Sequence, residues 1–364
     1  MKLKHLVIVI VVLAAASAAV FLSNRPAVAT AADPRVGQPL VGATEASQAA
    51  KLRLSEGGKT VLLVRQTDGT WRDTSYFDFP ADFAKLSSFI SDLTSAKISR
   101  VVTTNPERLT RLEFKDSKIE LLDGSDKVLW TVTLGKTAEA GGGRFVRYGD
   151  EPKAYLATLN AWLDVDPKNW ADATLLTLKP EDVAKVELRF ESGGPIVVAR
   201  ANKDAAWTVE HAPAGQRLKA DKVSSLLTSL SGLRFSDSTA LADPQAAVAR
   251  AHARTFILTR FDGASYTVAL GRKPEEKKLK APSAPPALPK TSEPAPAEAK
   301  LPAPEFDTIP AGPVFVWITS SDAKAPVGEL MKKRAFQIDE YAFTNLPQKA
   351  DELFEPEPKP AAKK

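Results

Sequence analysis

A chain of 364 residues with 44% hydrophobic and 26% charged side chains is ordinary globular material, long enough for two domains with separate cores. It contains no cysteine, which excludes a disulfide framework, thiol catalysis, Cys-ligated zinc and a lipid-modified N-terminal cysteine. The net charge of +5 includes Lys2, Lys4 and Arg25 around the first apolar segment; the remainder is close to balanced, which argues against a nucleic-acid surface.

Two lysines precede an uncharged run, Leu6 to Leu22, that ends at Ser23-Asn24-Arg25-Pro26. This is a basic n-region and an apolar h-region. The run is just long enough to stay as a single-pass anchor, the favoured reading, while Ala29-Thr30-Ala31 also fits a small-x-small cleavage site. Either way the body is expected outside the cytoplasm, with the anchored form on the cytoplasmic (inner) membrane facing the periplasm. Residues 32–50, rich in Ala, Gly, Pro and Thr, suit a tether.

A first module is expected over residues 51–178. Lys51-Leu52-Arg53-Leu54 alternates as a half-buried strand does, Gly57-Gly58 turns, Thr60 to Val64 forms the second strand, and Trp71 opens a third after Asp68-Gly69. Pro80-Ala81-Asp82 starts a helix whose Phe83, Leu86, Ile90 and Leu93 share one face. Asn105-Pro106 begins a short second helix, with Asn105 as its cap. Strands follow at Lys118 to Leu122, Val128 to Leu134 and Arg144 to Tyr148. Leu156, Leu159, Trp162 and Leu163 suggest a closing helix before Trp170.

The programme then repeats over residues 179–350. Thr131-Val132-Thr133-Leu134-Gly135-Lys136 returns 136 positions later as Thr267-Val268-Ala269-Leu270-Gly271-Arg272. Gly193-Gly194 and Trp207 follow Gly57-Gly58 and Trp71 at the same offset. On apolar pattern alone, Val223, Leu226, Leu230 and Leu233 match the first helix at an offset of 140, and Leu159, Trp170 and Leu175 match Leu330, Tyr341 and Leu346 at 171. The fold class read from this is α+β: two tandem modules, each an antiparallel sheet of meander and hairpins covered by helices, behind the N-terminal membrane segment (1–31). Within module two, about 273–312 is a Pro/Ala/Lys-rich insertion that favours extended or disordered chain, as does the tail 351–364.

Chemistry is harder to find. Gly141-Gly142-Gly143-Arg144 lacks the Gly-Lys-Ser/Thr ending of a phosphate loop and reads as a hairpin turn. His211 and His252 have no second histidine at ligand spacing. Carboxylate pairs such as Asp164 with Asp166, or Asp351 with Glu352, have nothing to mark them for acid/base work. No catalytic residue, metal ligand or cofactor site is therefore assigned. Trp71, Tyr148 and Trp207 are the candidate ligand- or partner-contact residues, although both tryptophans also suit packing positions.

The strand pair leading to Trp71, Leu134-Gly135 with its glycine-rich turn, Arg144-Phe145-Val146-Arg147-Tyr148, Ala154-Tyr155-Leu156 and Asp164 to Trp170 together resemble the uncharacterised bacterial family catalogued as domain of unknown function 4340. Members of that family are often encoded beside gliding-motility-type ABC transporter components, so the resemblance implies an accessory envelope role. With the anchor, the repeat and the absence of reactive residues, the favoured expectation is a non-enzymatic accessory or scaffold protein of an ABC-type envelope transport system. The alternative is a periplasmic module that binds a cell-wall glycan or another ligand through the exposed aromatics; a carboxylate-based hydrolase ranks third.

Overall fold

The computed structural model describes residues 33–139, 142–279 and 306–357. The apolar N-terminal run, most of the Pro-rich insertion and the end of the tail lie outside the described residues. Among the described residues no helix is long and apolar enough to cross a membrane. The fold is mixed α+β with antiparallel sheets and few helices, in two compact units that divide between Ala171 and Asp172.

In the first unit the strands are β1 (Lys51–Glu56), β2 (Lys59–Arg65), β3 (Trp71–Asp73), β4 (Phe79–Pro80), β5 (Ile98–Thr103), β6 (Lys118–Leu122), β7 (Val128–Thr137), β8 (Arg144–Tyr148) and β9 (Ala154–Ala157). They form one sheet in the order β4-β3-β2-β1-β6-β7-β8-β9-β5. The alternation expected for β1 is its cause: Leu52 and Leu54 point to one face and pair with Leu63 and Val61 on β2 and with Leu121 and Ile119 on β6, all fully buried. The Phe83–Ser95 helix covers this row with Leu86, Phe89 and Leu93. Each such side chain contributes about 1.5–3 kcal/mol by leaving water. Asp82 caps the helix by accepting from the Lys85 N–H, and Asn105 caps the Pro106–Thr110 helix through the Glu107 and Arg108 N–H groups.

The second unit holds β10 (Val183–Arg189), β11 (Ile196–Ala199), β12 (Thr208–Val209), β13 (Gln216–Leu218), β14 (Asp237–Thr239), β15 (Arg254–Arg260), β16 (Ser265–Gly271), β17 (Glu276–Leu279), β18 (Phe306–Ile309), β19 (Val314–Ser320), β20 (Ala335–Ile338) and β21 (Phe354–Pro356). Its main sheet runs β12-β11-β10-β15-β16-β19-β20-β14. That order repeats β3-β2-β1-β6-β7-β8-β9-β5 strand for strand. Helices Ala220–Ser231 and Pro244–Ala251 occupy the chain positions of Phe83–Ser95 and Pro106–Thr110.

The register corrects the offsets read from apolar pattern. Asp82 N–H donates to Trp170 O in the first unit and Lys219 N–H to Leu353 O in the second; Ala81 bridges Ala171 where Leu218 pairs with Phe354. These equivalences set the helix offset at 137, so buried Leu86, Phe89 and Leu93 correspond to buried Val223, Leu226 and Leu230. Phe83, expected on the buried face, is 66% exposed. Buried Trp170 corresponds to buried Leu353; Tyr341, the expected match, is 78% exposed. The shift arises because the Pro326–Lys333 helix is inserted between β19 and β20, where β8 and β9 are joined by a short turn.

The expected tether, as far as it is described (residues 33–50), is not free. Gly37 N–H donates to Ile98 O, Ile98 N–H to Gln38 O and Leu40 N–H to Ala96 O, which lays this segment along the edge of β5. Leu40 and Val41 are buried, and the Ala43–Gln48 helix follows. In the second unit, Leu175 N–H donates to Leu233 O and Phe235 N–H to Ala173 O in the same way. Leu175 and Leu176, expected to end module one, therefore begin module two, which agrees with the division after Ala171. Both segments cover an edge that would otherwise template a foreign strand.

Three further expectations are corrected. The closing helix before Trp170 is absent: β9 gives way to irregular chain, because the side chains of Asp164 and Asp166 take the N–H groups of Asp166 and Lys168 and compete with helical bonding. The insertion is structured at both ends, where β17 pairs with β18 from Glu276↔Ile309 to Leu279↔Phe306. The tail begins with a 3-10 turn, Ala350–Leu353, that buries Leu353, and with β21 on β13.

The shared Leu-Gly has a packing reason. A Cβ on Gly135 would lie 2.5 Å from Leu112 O, and one on Gly271 would lie 2.2 Å from Ala249 O. In both units backbone at the end of the second helix, within its last turn at Ala249 and just past it at Leu112, rests on the strand where the side chain is missing.

Candidate functional site

The three sequence candidates do not form one site. Trp71 is half-buried on β3 against the first core, whereas Tyr148 lies on β8, five strand spacings away in the sheet order, about 24 Å. Trp207 belongs to the second unit. One ring face of Trp207 is taken by the Arg200 guanidinium, 4.6 Å from the ring centroid, and Arg200 is itself fastened to Val183 O, Pro180 O and Lys203 O.

Tyr148 leads instead to a polar cluster. Arg35 lies 4.5 Å over its ring and Tyr155 meets it edge-on at 5.7 Å. Arg35 reaches Glu151 with both terminal nitrogens, at 2.6 and 2.8 Å, and donates to Tyr155 Oη at 3.2 Å. The Tyr155 hydroxyl donates to Asp33 Oδ2 at 3.1 Å, and Lys153 Nζ closes the circuit on the same oxygen at 2.7 Å. The Tyr148 hydroxyl and Trp130 Nε1 both donate to Leu40 O. Sequence reasoning missed Asp33, Arg35, Glu151 and Lys153, since two of them sit in a stretch of linker composition and two in a turn.

The electrostatics follow from these contacts. Lys153 holds the Asp33 carboxyl below the usual carboxylate range, and the Arg35 fork does the same for Glu151. Glu151 in turn raises Arg35. Burial pushes the Tyr148 phenol up to about 12, so it remains a donor to Leu40 O throughout the ordinary pH range. The cluster therefore fastens residues 33–41 to β8 and β9. It is a clamp: every charge in it faces an opposite charge, and no nucleophile is left beside a free base.

Asp164, weighed from sequence as one of a carboxylate pair, also has a structural partner. Burial raises Asp164, but Lys85 at 2.6 Å outweighs it and holds the carboxyl below its ordinary value. Lys85 also lies 4.5 Å over the Trp170 ring. Residues 138–143 join β7 to β8, with Ala138 N–H donating to Gly143 O. Among the described residues no group of three His, Asp or Glu gathers as metal ligands.

Asp73 is the exception in the first unit. It is fully buried on β3; its Oδ1 accepts from Ser75 and from the Tyr76 N–H, while Oδ2 has no hydrogen-bond partner. Burial raises its pKa against those bonds. The matching position, paired with Val198 as Asp73 is with Leu63, is Val209.

No curated protein and no solved structure matches the chain. The profile of the family described as domain of unknown function 4340 matches residues 71–252, half of the chain, and the protein belongs to that family.

Proposed function

We infer that the protein is a membrane-tethered, non-enzymatic accessory or scaffold component of an ABC-type envelope transport system, built from one module written twice. The observation that carries the tethering is the Asp33–Arg35–Glu151–Lys153–Tyr155 clamp. It fastens the chain to the first module by Asp33, so that only residues 23–32 separate the module from the apolar Leu6–Leu22 run. Ten extended residues reach about 35 Å at most. A module so close to the run is suited to act at a membrane surface, in contact with membrane-embedded partners.

The test is affinity purification of the full chain from its own membranes in mild detergent, with mass spectrometry of its partners and of the N-terminus of the bait. Transporter subunits recovered with Met1–Leu22 still attached support the reading. A bait that begins near Ala32, resists no carbonate wash and arrives alone overturns it.

A further inference from the structure

The second unit contains a cleft of about 260 Å³ lined by Glu191, His252, Arg254, Arg272, Phe343 and Gln348, with Pro274 and Glu275 at its rim. Arg254 is 4% exposed, which for a guanidinium demands a compensating charge or a complete set of acceptors. It donates to Phe343 O, Leu346 O and Pro347 O, and no carboxylate among the described residues lies within ion-pair distance of it. Its guanidinium stacks 4.0 Å from the centroid of Phe343, and the Arg272 guanidinium lies 5.4 Å from the same centroid.

Two cations are thus gathered on one ring. Arg272 spends one nitrogen on Glu340, a carboxylate 68% exposed and so screened by water. Its Nε and other terminal nitrogen make no hydrogen bond among the described residues. The other acids near the cleft are Glu191, which holds His252 Nδ1 at 2.7 Å, Glu352, which accepts from Gln348 N–H and offsets part of the Arg254 charge from a distance, and Glu275, exposed at the rim. The inner wall therefore gathers two guanidinium groups, one of them with unbonded donors, beside an apolar ring, while the carboxylates stand around it.

The first unit shows that the fold does not require this. The register places Ser117 where Arg254 stands and an exposed Lys136 where Arg272 stands. Ser117 simply bonds Glu56.

We propose that this cleft, walled by Arg254, Arg272 and Phe343, is a binding site for a small oxyanion ligand, a carboxylate or a phosphate, seated against the free nitrogens of Arg272 over the buried charge of Arg254. Its volume lies just below the roughly 300–1,000 Å³ of pockets for drug-sized ligands, which restricts it to small molecules. The site is independent of the tethering reading.

Isothermal titration of the full chain with inorganic phosphate and, separately, with succinate in low-salt buffer tests it. Saturable binding of phosphate alone, succinate alone or both supports the site and identifies the class. Arg272→Gln, which leaves the buried Arg254 in place, is expected to weaken binding about tenfold or more through loss of charge-assisted contacts. Glu275→Gln, which removes a rim acid, is expected to strengthen it about twofold. No saturable binding below about 10 mM of either anion, or equal affinity in Arg272→Gln confirmed as folded by circular dichroism, overturns the proposal.

Discussion

The two modules share strand order, edge cover and the glycine under the second helix, yet they place their charged clusters in different parts. The first uses a closed circuit of ion pairs at Asp33, Arg35, Glu151 and Lys153, and leaves one carboxylate, Asp73, buried without a cation. The second has Phe336 where Tyr155 stands and Val209 where Asp73 stands, and gathers its buried charge at Arg254. What the modules share is what the fold needs. What each has alone is free to serve function, so each copy acts as an internal control for the other.

The largest effect is expected where the modules agree. Gly271→Val brings a side chain into Ala249 O and should cost about 3 kcal/mol, seen as a fall in the urea midpoint. Gly135→Val should cost a similar amount through Leu112 O. A cost in only one module would show that the two glycines serve different ends.

Making the first module resemble the second comes next. Tyr155→Phe leaves the packing of a buried ring intact but removes the hydroxyl between Arg35 and Asp33, and should cost about 1 kcal/mol. Hydrogen exchange should quicken at residues 33–41 and remain unchanged in the second module. Arg35→Ala should do the same with a comparable loss, because the ion pair is about 40% exposed and screened.

The pH dependences have opposite signs within the first module. Asp33 and Glu151 titrate below their ordinary values when folded, so their stabilisation is present above the unfolded pKa and is lost as pH falls through the folded one. Asp73 titrates above its ordinary value, so its contribution is present below the unfolded pKa and is lost as pH rises through the raised one. Asp73→Asn should abolish that loss on the alkaline side and leave the acid limb unchanged in denaturation curves taken from pH 3 to 8, a range of about five units around the carboxylates. The smallest effect is expected at Phe83→Ser, within about 0.5 kcal/mol, since the ring is 66% exposed.

Much of the scaffold was legible from local pattern. The alternation of Leu52 and Leu54, the helix start at Asp82, the cap at Asn105 and the doubled Thr-Val-x-Leu-Gly run all lie where the local pattern put them, because each is decided by neighbours in the chain. The edge cover was not legible: residues 37–40 join the sheet through backbone groups, and Gly, Gln, Pro and Leu carry no strand signal. The helix offset misled for a different reason. Phe83, Leu86, Ile90 and Leu93 define a face equally well with or without Phe83, and only the Trp170 and Leu353 carbonyls decide between them. The candidate aromatics were chosen by type, whereas the clamp and the cleft are assembled from charged residues far apart in sequence, such as Arg35 with Glu151 and Arg254 with Phe343.

The position of the closing contacts has a consequence for biosynthesis. The first module makes its last internal pairing at Ala171, so it can complete its sheet while the rest of the chain is still emerging. The second cannot seal the start of its Ala220–Ser231 helix until Leu353 and Phe354 have arrived, more than a hundred residues after that helix is made. During that interval Val223, Leu226 and Leu230 lack part of their cover, which leaves the second module the longer exposed to aggregation as the chain is made.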